Sequence, residues 1–113
     1  MSDISECWLD KKCDARKVEK FIRGKLGIKS GLNIEKFHDI VSFGFKYKNG
    51  DVVLKIFENA LMSSVEGQKR VTLCVTDTDT LSKEVLAQLV KEFGGFIKRE
   101  DSGTYIVNKQ GLY

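Results

Sequence analysis

The sequence contains no proline, one histidine and one tryptophan among its 113 residues. No stretch approaches the ~18 consecutive apolar residues of a transmembrane helix. Residues 1–6 are acidic and lack the positively charged and apolar regions of a secretory signal peptide. No linker, internal repeat or low-complexity tract is evident. These absences predict a single domain over residues 1–113, located in the cytoplasm and not bound to a membrane.

Cysteine is scarce as well, and its number limits the chemistry that the chain can support. Cys7, Cys13 and Cys74 cannot all pair within one chain, and a domain of this length does not need disulfides, so we expect free thiols. A metal site formed by these cysteines and His38 would lack Cys-x-x-Cys spacing. The sequence also offers no Ser–His–acid arrangement and no glycine-rich phosphate loop. We therefore predict no metal, no cofactor and no catalytic residues.

The net charge of +3 is unevenly distributed along the chain. Residues 11–29 contain eight Lys or Arg against two acidic residues, whereas residues 1–10 carry a net charge of −3. The remaining residues contain eleven charges of each sign. All of the excess positive charge therefore lies in one segment near the start.

This basic segment is predicted to form an amphipathic helix at about residues 14–26. Asp14 is a candidate N-cap, and Gly27 is a candidate for the residue that follows the helix. Apolar residues recur at helical spacing: Ala15, Val18, Phe21, Ile22 and Leu26. The opposite side carries four cations: Arg16, Lys17, Lys20 and Arg23. A basic helix face of this kind is either solvated or contacts phosphate groups or an acidic partner.

The strongest pattern is a β-hairpin over Val41–Phe57, in which two alternating runs meet at Asn49 and Gly50. Asn-Gly is typical of a type I′ turn, which would place Lys48 opposite Asp51 and Tyr47 opposite Val52. One face of the hairpin would then be a candidate core: Phe43, Phe45, Tyr47, Val52, Leu54 and Ile56. The other face carries Lys46, Val53, Lys55 and Phe57, which is more apolar surface than a fully solvated face needs.

The segment Phe43-Gly44-Phe45 resembles the centre of the aromatic strand motif of RNA-recognition-motif domains, in which rings on the sheet stack on bases. That motif begins with a basic residue and a glycine, where this chain has Val41 and Ser42. The predicted register places both rings on the candidate core face. We therefore expect them to pack in the core and not to stack on bases.

The remaining elements complete a coarse order of α-β-β-β-α-β-β. We expect a third strand at Val71–Thr76, a second amphipathic helix that begins near Thr80, and two final runs at Phe96–Glu100 and Thr104–Asn108. Residues 28–40 are predicted to form a loop with a brief helix. Ile4–Leu9 is compatible with either a strand or a helical turn.

This order predicts an α+β fold. A three-stranded antiparallel meander, with a C-terminal hairpin or strand added, would be covered on one face by the two helices.

The segment Val75–Leu81 contains Asp77 and Asp79, and it resembles the Asp-x-Asp signature of haloacid-dehalogenase-type phosphatases. The resemblance implies a nucleophilic and a general-acid aspartate at the end of a strand. This chain has Thr80 and Leu81 where that family has Gly-Thr. The alternative is that these aspartates end a strand and cap the following helix.

The leading functional hypothesis is a small non-catalytic binding module that acts by protein–protein contact, with a homodimer as one form of that contact. Its candidate binding residues are those of the second hairpin face: Lys46, Val53, Lys55 and Phe57. The alternative is nucleic-acid binding through the basic helix, by Arg16, Lys17, Lys20 and Arg23. A second alternative is a metal-dependent enzyme centred on Asp77 and Asp79.

Overall fold

A computed structural model of the chain describes residues 4–9, 13–64, 67–98 and 105–107. These residues include two helices, α1 (Ala15–Gly24) and α2 (Thr80–Phe93). The described strands are β1 (Ile4–Leu9), β2 (Asn33–Phe37), β3 (Ile40–Tyr47), β4 (Gly50–Ser64), β5 (Gly67–Asp77), β6 (Gly95–Lys98) and β7 (Tyr105–Val107).

The strands form one antiparallel sheet in the order β2-β3-β4-β5-β1-β6-β7. The predicted α+β class and the two helices are confirmed. The element order differs from the prediction because two strands are added, β1 before α1 and β2 before the hairpin. β1 lies inside the sheet, between β5 and β6, so the first strand in sequence joins the meander to the C-terminal strands.

The brief helix predicted within residues 28–40 is wrong, since part of this segment forms β2. Phe37 pairs with Ile40 across a two-residue turn of His38 and Asp39, and His38 has a φ of 55°. All five residues of β2 are exposed, so burial imposes no clear alternation on its sequence. Backbone pairing with β3 stabilises this strand, and that pairing is not visible in a local pattern.

The hairpin of β3 and β4 has the predicted faces, but its register differs from the prediction by two residues. Tyr47 pairs with Gly50, and not with Val52 as predicted. The turn residues are therefore Lys48 and Asn49, whose φ values are 50° and 70°, as a type I′ turn requires. A shift of two residues keeps every side chain on its predicted face because side-chain direction alternates with a period of two.

Contacts with α2 stabilise this turn. Glu84 accepts a hydrogen bond of 2.6 Å from the Tyr47 hydroxyl and one of 2.7 Å from Lys48 Nζ. Gln88 Nε2 donates to the Tyr47 hydroxyl at 2.8 Å. Lys48 thus pairs with the helix, and Asp51, its predicted partner, lies 3.7 Å from Lys46.

The core lies between the helices and one face of the sheet. The predicted hairpin residues are buried there: Phe43, Phe45, Tyr47, Val52, Leu54 and Ile56. The neighbouring strands add Cys7 and Leu9 from β1 and Cys74 from β5. Thr72 and Thr76 are buried on the same side of β5, and Thr72 donates a hydrogen bond to the carbonyl oxygen of Cys13. Residues of β5 therefore alternate between the two faces of the sheet, and the more polar side faces the core.

Helix α1 begins and ends much as predicted. Asp14 is the N-cap and accepts a hydrogen bond from the backbone of Lys17, while Gly27 adopts a φ of 74° beyond the last turn. The β4 strand shifts register between Phe57 and Ala60, as at a β-bulge. Glu58 lies in this bulge, and its carboxylate accepts a 2.7 Å hydrogen bond from the first backbone N–H of α1.

The two helices contact each other above the sheet. The rings of Phe21 in α1 and Phe93 in α2 lie 6.0 Å apart between centroids, and Lys25 Nζ lies 4.0 Å from Glu92. At the C-terminal end of the chain, β6 and β7 pair antiparallel. Residues 101–103, which separate the two predicted C-terminal runs, lie outside the described residues. No helix in the described part of the chain is long and apolar enough to cross a membrane.

Candidate functional site

Both described helices pack on one side of the sheet, and the other side, called the open face here, carries all four predicted partner-binding residues. Lys46, Val53 and Lys55 are exposed, and Phe57 is half-buried. Val53 exposes 41% of its surface, which is a large fraction for an aliphatic side chain in the middle of a sheet. The second face predicted for the hairpin is therefore part of the open face.

The open face also carries a row of apolar residues that crosses six neighbouring strands. Each member is paired in register with the next. The members of this apolar row, in strand order, are Phe37, Ile40, Phe57, Leu73, Trp8 and Phe96. None of them belongs to the hydrophobic core beneath the helices. Four of the six side chains are aromatic, so the row concentrates ring surface on the side of the sheet away from the helices.

Exposure differs along the apolar row. Phe37 at the edge strand is 69% exposed, while Ile40, Leu73 and the other members are half-buried by their neighbours on the sheet. The indole Nε1 of Trp8 is buried and has no hydrogen-bond partner among the residues that the structure describes. Trp8 is the single tryptophan of the chain, so its fluorescence reports on this face.

Charged residues of both signs flank the apolar row. Lys98 Nζ lies 3.2 Å from Glu6, and Lys46 Nζ lies 3.7 Å from Asp51. Lys55 is exposed and makes no ion pair with any described residue. The open face is thus a mixed surface in which an apolar centre has polar margins, without an excess of one charge.

The basic residues of α1 lie on the surface, as predicted. Arg16, Lys17 and Lys20 are exposed, and Arg23 is half-buried with its Nε 3.0 Å from Glu19. Beside this face, α1 and α2 enclose a shallow groove of about 500 Å³, whose walls include Lys17, Lys20 and Phe21. The groove combines cations with aromatic surface, and it lies on the side of the molecule opposite the open face.

The two aspartates of the Asp-x-Asp segment have different surroundings. Asp79 is the N-cap of α2, where its carboxylate accepts hydrogen bonds from the backbone N–H of Ser82 at 3.0 Å and from the Ser82 hydroxyl at 2.8 Å. These bonds hold the pKa of Asp79 below its usual range. Asp77 ends β5 and is exposed. Within the described residues, no group of three or more His, Cys, Asp or Glu side chains is arranged to hold a metal ion.

The three cysteines are free and buried in the core. Cys7 lies directly opposite Cys74 on neighbouring strands, and a hydrogen bond with Cys7, together with burial, raises the pKa of the Cys74 thiol. Burial raises the pKa of Cys13 to about 12. Such thiols pack as small hydrophobic residues and are poor nucleophiles.

No protein-family model, curated protein or solved structure was found to match the chain.

Sequence reasoning missed five of the six members of the apolar row. Phe57 was identified because it belongs to the hairpin, whose register is local. Trp8, Leu73 and Phe96 come from three strands that are distant in sequence. The alternation of polar and apolar residues within Ile4–Leu9 was a usable signal for a strand, but it did not show which strands would lie beside it.

Proposed function

We propose that the chain is a small binding module that acts by protein–protein contact through the open face of its sheet. The apolar row is the observation that carries this proposal. Six strands spaced about 4.8 Å apart place its members along a line of roughly 24 Å. Aromatic residues in such an arrangement are enriched in protein interfaces, where they supply a large contact area at a low cost in conformational entropy.

The margins of the open face support a protein partner in preference to nucleic acid. Glu6 and Lys98 lie on one part of the margin, and Lys46 and Asp51 on another, so the ionic groups there are balanced. A surface that binds nucleic acid needs a basic excess to replace the counterions of the phosphates. A mixed polar rim around an apolar centre is typical of protein interfaces.

A pair of matched variants tests this proposal. Val53→Glu places a charge on the open face, and Ile34→Glu places the same charge on β2, where Ile34 is 44% exposed and pairs with the buried Phe43 of the helix-covered face. We expect the immobilised full chain and its Ile34→Glu variant to retain a protein, either a second copy or another chain, that Val53→Glu does not retain. Equal retention by all three would overturn the proposal.

The groove beside the basic face of α1 supports a second candidate function, nucleic-acid binding. Lys17, Lys20 and Lys25 line this groove, and all three are exposed. Binding of a labelled oligonucleotide should weaken steeply with salt because each phosphate contact releases counterions. Charge reversal at Arg16, Lys17, Lys20 and Arg23 should abolish it. A lack of measurable binding at about 50 mM salt, where such contacts are strong, would exclude this function.

A further inference from the structure

The central strand of the sheet is β5, with β4 on one side and β1 on the other. Three strands lie beyond β5 in each direction. Two copies of the chain can face each other across a two-fold axis that lies between their sheets and runs parallel to β5. In this arrangement, β4 of each copy lies opposite β1 of the other. An interface of this kind is self-complementary only if the residues of β4 fit those of β1.

The residues exchanged by this rotation are complementary in chemistry. Leu73 of β5 pairs with Phe57 of β4 and with Trp8 of β1. The rotation therefore places the Phe57 ring of each copy opposite the Trp8 ring of the other. Val75 of β5 pairs with Lys55 of β4 and with Glu6 of β1. The rotation therefore places the Lys55 ammonium group of each copy opposite the Glu6 carboxylate of the other.

The next position along the strands repeats this relationship with apolar residues. Ile4 of β1 pairs with Asp77 of β5, and Val53 of β4 lies two residues before Lys55 on the same face. Ile4 and Val53 are 47% and 41% exposed. The rotation places these two exposed aliphatic side chains against each other.

We propose that the occupant of the open face is a second copy of this chain, related by a two-fold axis along β5, with Lys55 of each copy against Glu6 of the other. This inference rests on the proposed function of the open face. Sheets packed face to face are about 10 Å apart, and their mean strand directions stay within about 30° of each other, so sheets aligned along β5 bring the side chains of facing strands within reach of each other.

The state of Lys55 and Glu6 in the single chain supports this arrangement. Lys55 is exposed and has no ionic partner among the described residues, whereas Glu6 is 17% exposed at its side chain and lies 3.2 Å from Lys98. A carboxylate accepts hydrogen bonds at two oxygens, so Glu6 can take a second cation. The dimer would give Lys55 a partner and would complete the coordination of Glu6.

The size of the open face is sufficient for a stable dimer. Seven strands at about 4.8 Å and a length of roughly six residues at 3.3 Å give a sheet face of ~600 Å² per copy. Two copies would then bury about 1,200 Å² in total, the lower limit for a specific and stable interface. The apolar row lies at the centre of this area, where interface residues contribute most to affinity.

Sedimentation equilibrium and charge exchange test the proposal. The full chain should have twice the 12.8 kDa mass of one copy. Lys55→Glu and Glu6→Lys should each weaken self-association at least tenfold, since either variant places like charges together at both symmetric contacts. An equimolar mixture of the two variants should restore association because each mixed pair regains opposite charges at both contacts. Lys36→Glu, on the helix-covered face of β2, should leave the mass unchanged.

Trp8 fluorescence gives a second measurement that does not depend on the Glu6 variant folding well. Dilution of the wild-type chain should shift the emission to the red as the apolar row becomes exposed, and Lys55→Glu should show this shift already at high concentration. The proposed geometry would be overturned by a dimer that dissociates without any change in Trp8 emission. It would also be overturned if a mixture of the two folded variants did not recover association. A monomer that still retains another protein in a Val53-dependent manner would overturn the dimer alone and leave the proposed function standing.

Discussion

Gly50 lies directly beneath Leu81, so that a methyl group at position 50 would overlap the Leu81 side chain. Gly50 is the first residue of β4, and Leu81 is in the first turn of α2. Gly50 therefore serves close packing between the hairpin and the helix. The positive φ angles of the turn belong to Lys48 and Asn49.

We expect Gly50→Ala to destabilise the protein because the added methyl group displaces Leu81. The overlapping atom ends a flexible side chain, so the cost should be moderate, about 1–3 kcal/mol, as for other overpacked sites. Chemical unfolding followed by circular dichroism measures this change. Gly24→Ala is a matched control, since no atom lies within 4 Å of the added methyl group and alanine favours the helix end. A neutral Gly50→Ala would contradict the packing role.

The contact between Gly50 and Leu81 shows where the sequence was sufficient and where it was not. The alternation of Phe43, Phe45 and Tyr47 correctly predicted which hairpin face is buried, because alternation is a local property of a strand. Asn-Gly alone predicted the wrong turn residues. The observed register depends on contacts with a helix that lies about thirty residues further along the chain.

The candidate site was harder to predict for a related reason. The apolar row joins Trp8, Leu73 and Phe96 only because β1 lies between β5 and β6. A local pattern can identify a strand, but strand order depends on pairing between distant segments. All five residues of the edge strand β2 are exposed, so its sequence lacks the alternation of buried and exposed positions that would predict a strand. Phe57 could be identified from sequence because its neighbours in the hairpin are close along the chain.

We expect Asp79→Ala to destabilise α2 by about 0.5–2 kcal/mol, the usual effect of losing an N-cap. The pKa of Asp79 is lowered in the folded state by the bonds from Ser82. The contribution of the Asp79 carboxylate to the free energy of unfolding is therefore fully present above its unfolded pKa of about 3.9. This contribution is lost as the pH falls through the lower folded pKa. Thermal unfolding at neutral and acidic pH measures both effects. Asp77→Ala provides the comparison, and an equal loss in both variants would argue against capping.

The buried cysteines should not react with a thiol reagent while the protein is folded. Burial, followed by the neighbouring Cys74 and Asp14, raises the pKa of Cys13 to about 12, so its thiolate fraction near pH 8 is about 10⁻⁴. Cys7 and Cys74 are fully buried. We expect three thiols to react only after unfolding, and two in a Cys13→Ala variant. Rapid reaction of any thiol in the folded protein would contradict this burial.

The contact between the hairpin and α2 should become less stable as the pH falls, because it depends on the ionised carboxylate of Glu84. Hydrogen bonds from Lys48, and then from Tyr47, hold the pKa of Glu84 below its usual range. The stabilisation is therefore fully present above the unfolded pKa of about 4.3 and is lost as the pH falls through the folded pKa. We expect Glu84→Gln to lower the melting temperature at neutral pH and to reduce its decrease between neutral and acidic pH.

Glu92→Gln removes a carboxylate from the same helix and serves as the control for Glu84→Gln. Lys25 Nζ lies 4.0 Å from Glu92, and this exposed pair should contribute little to stability. Melting curves of both variants across the acidic range would separate the two carboxylates. If Glu84→Gln retained the full acid sensitivity of the wild-type protein, the bonds to Tyr47 and Lys48 could not be its source, and other carboxylates would have to account for it.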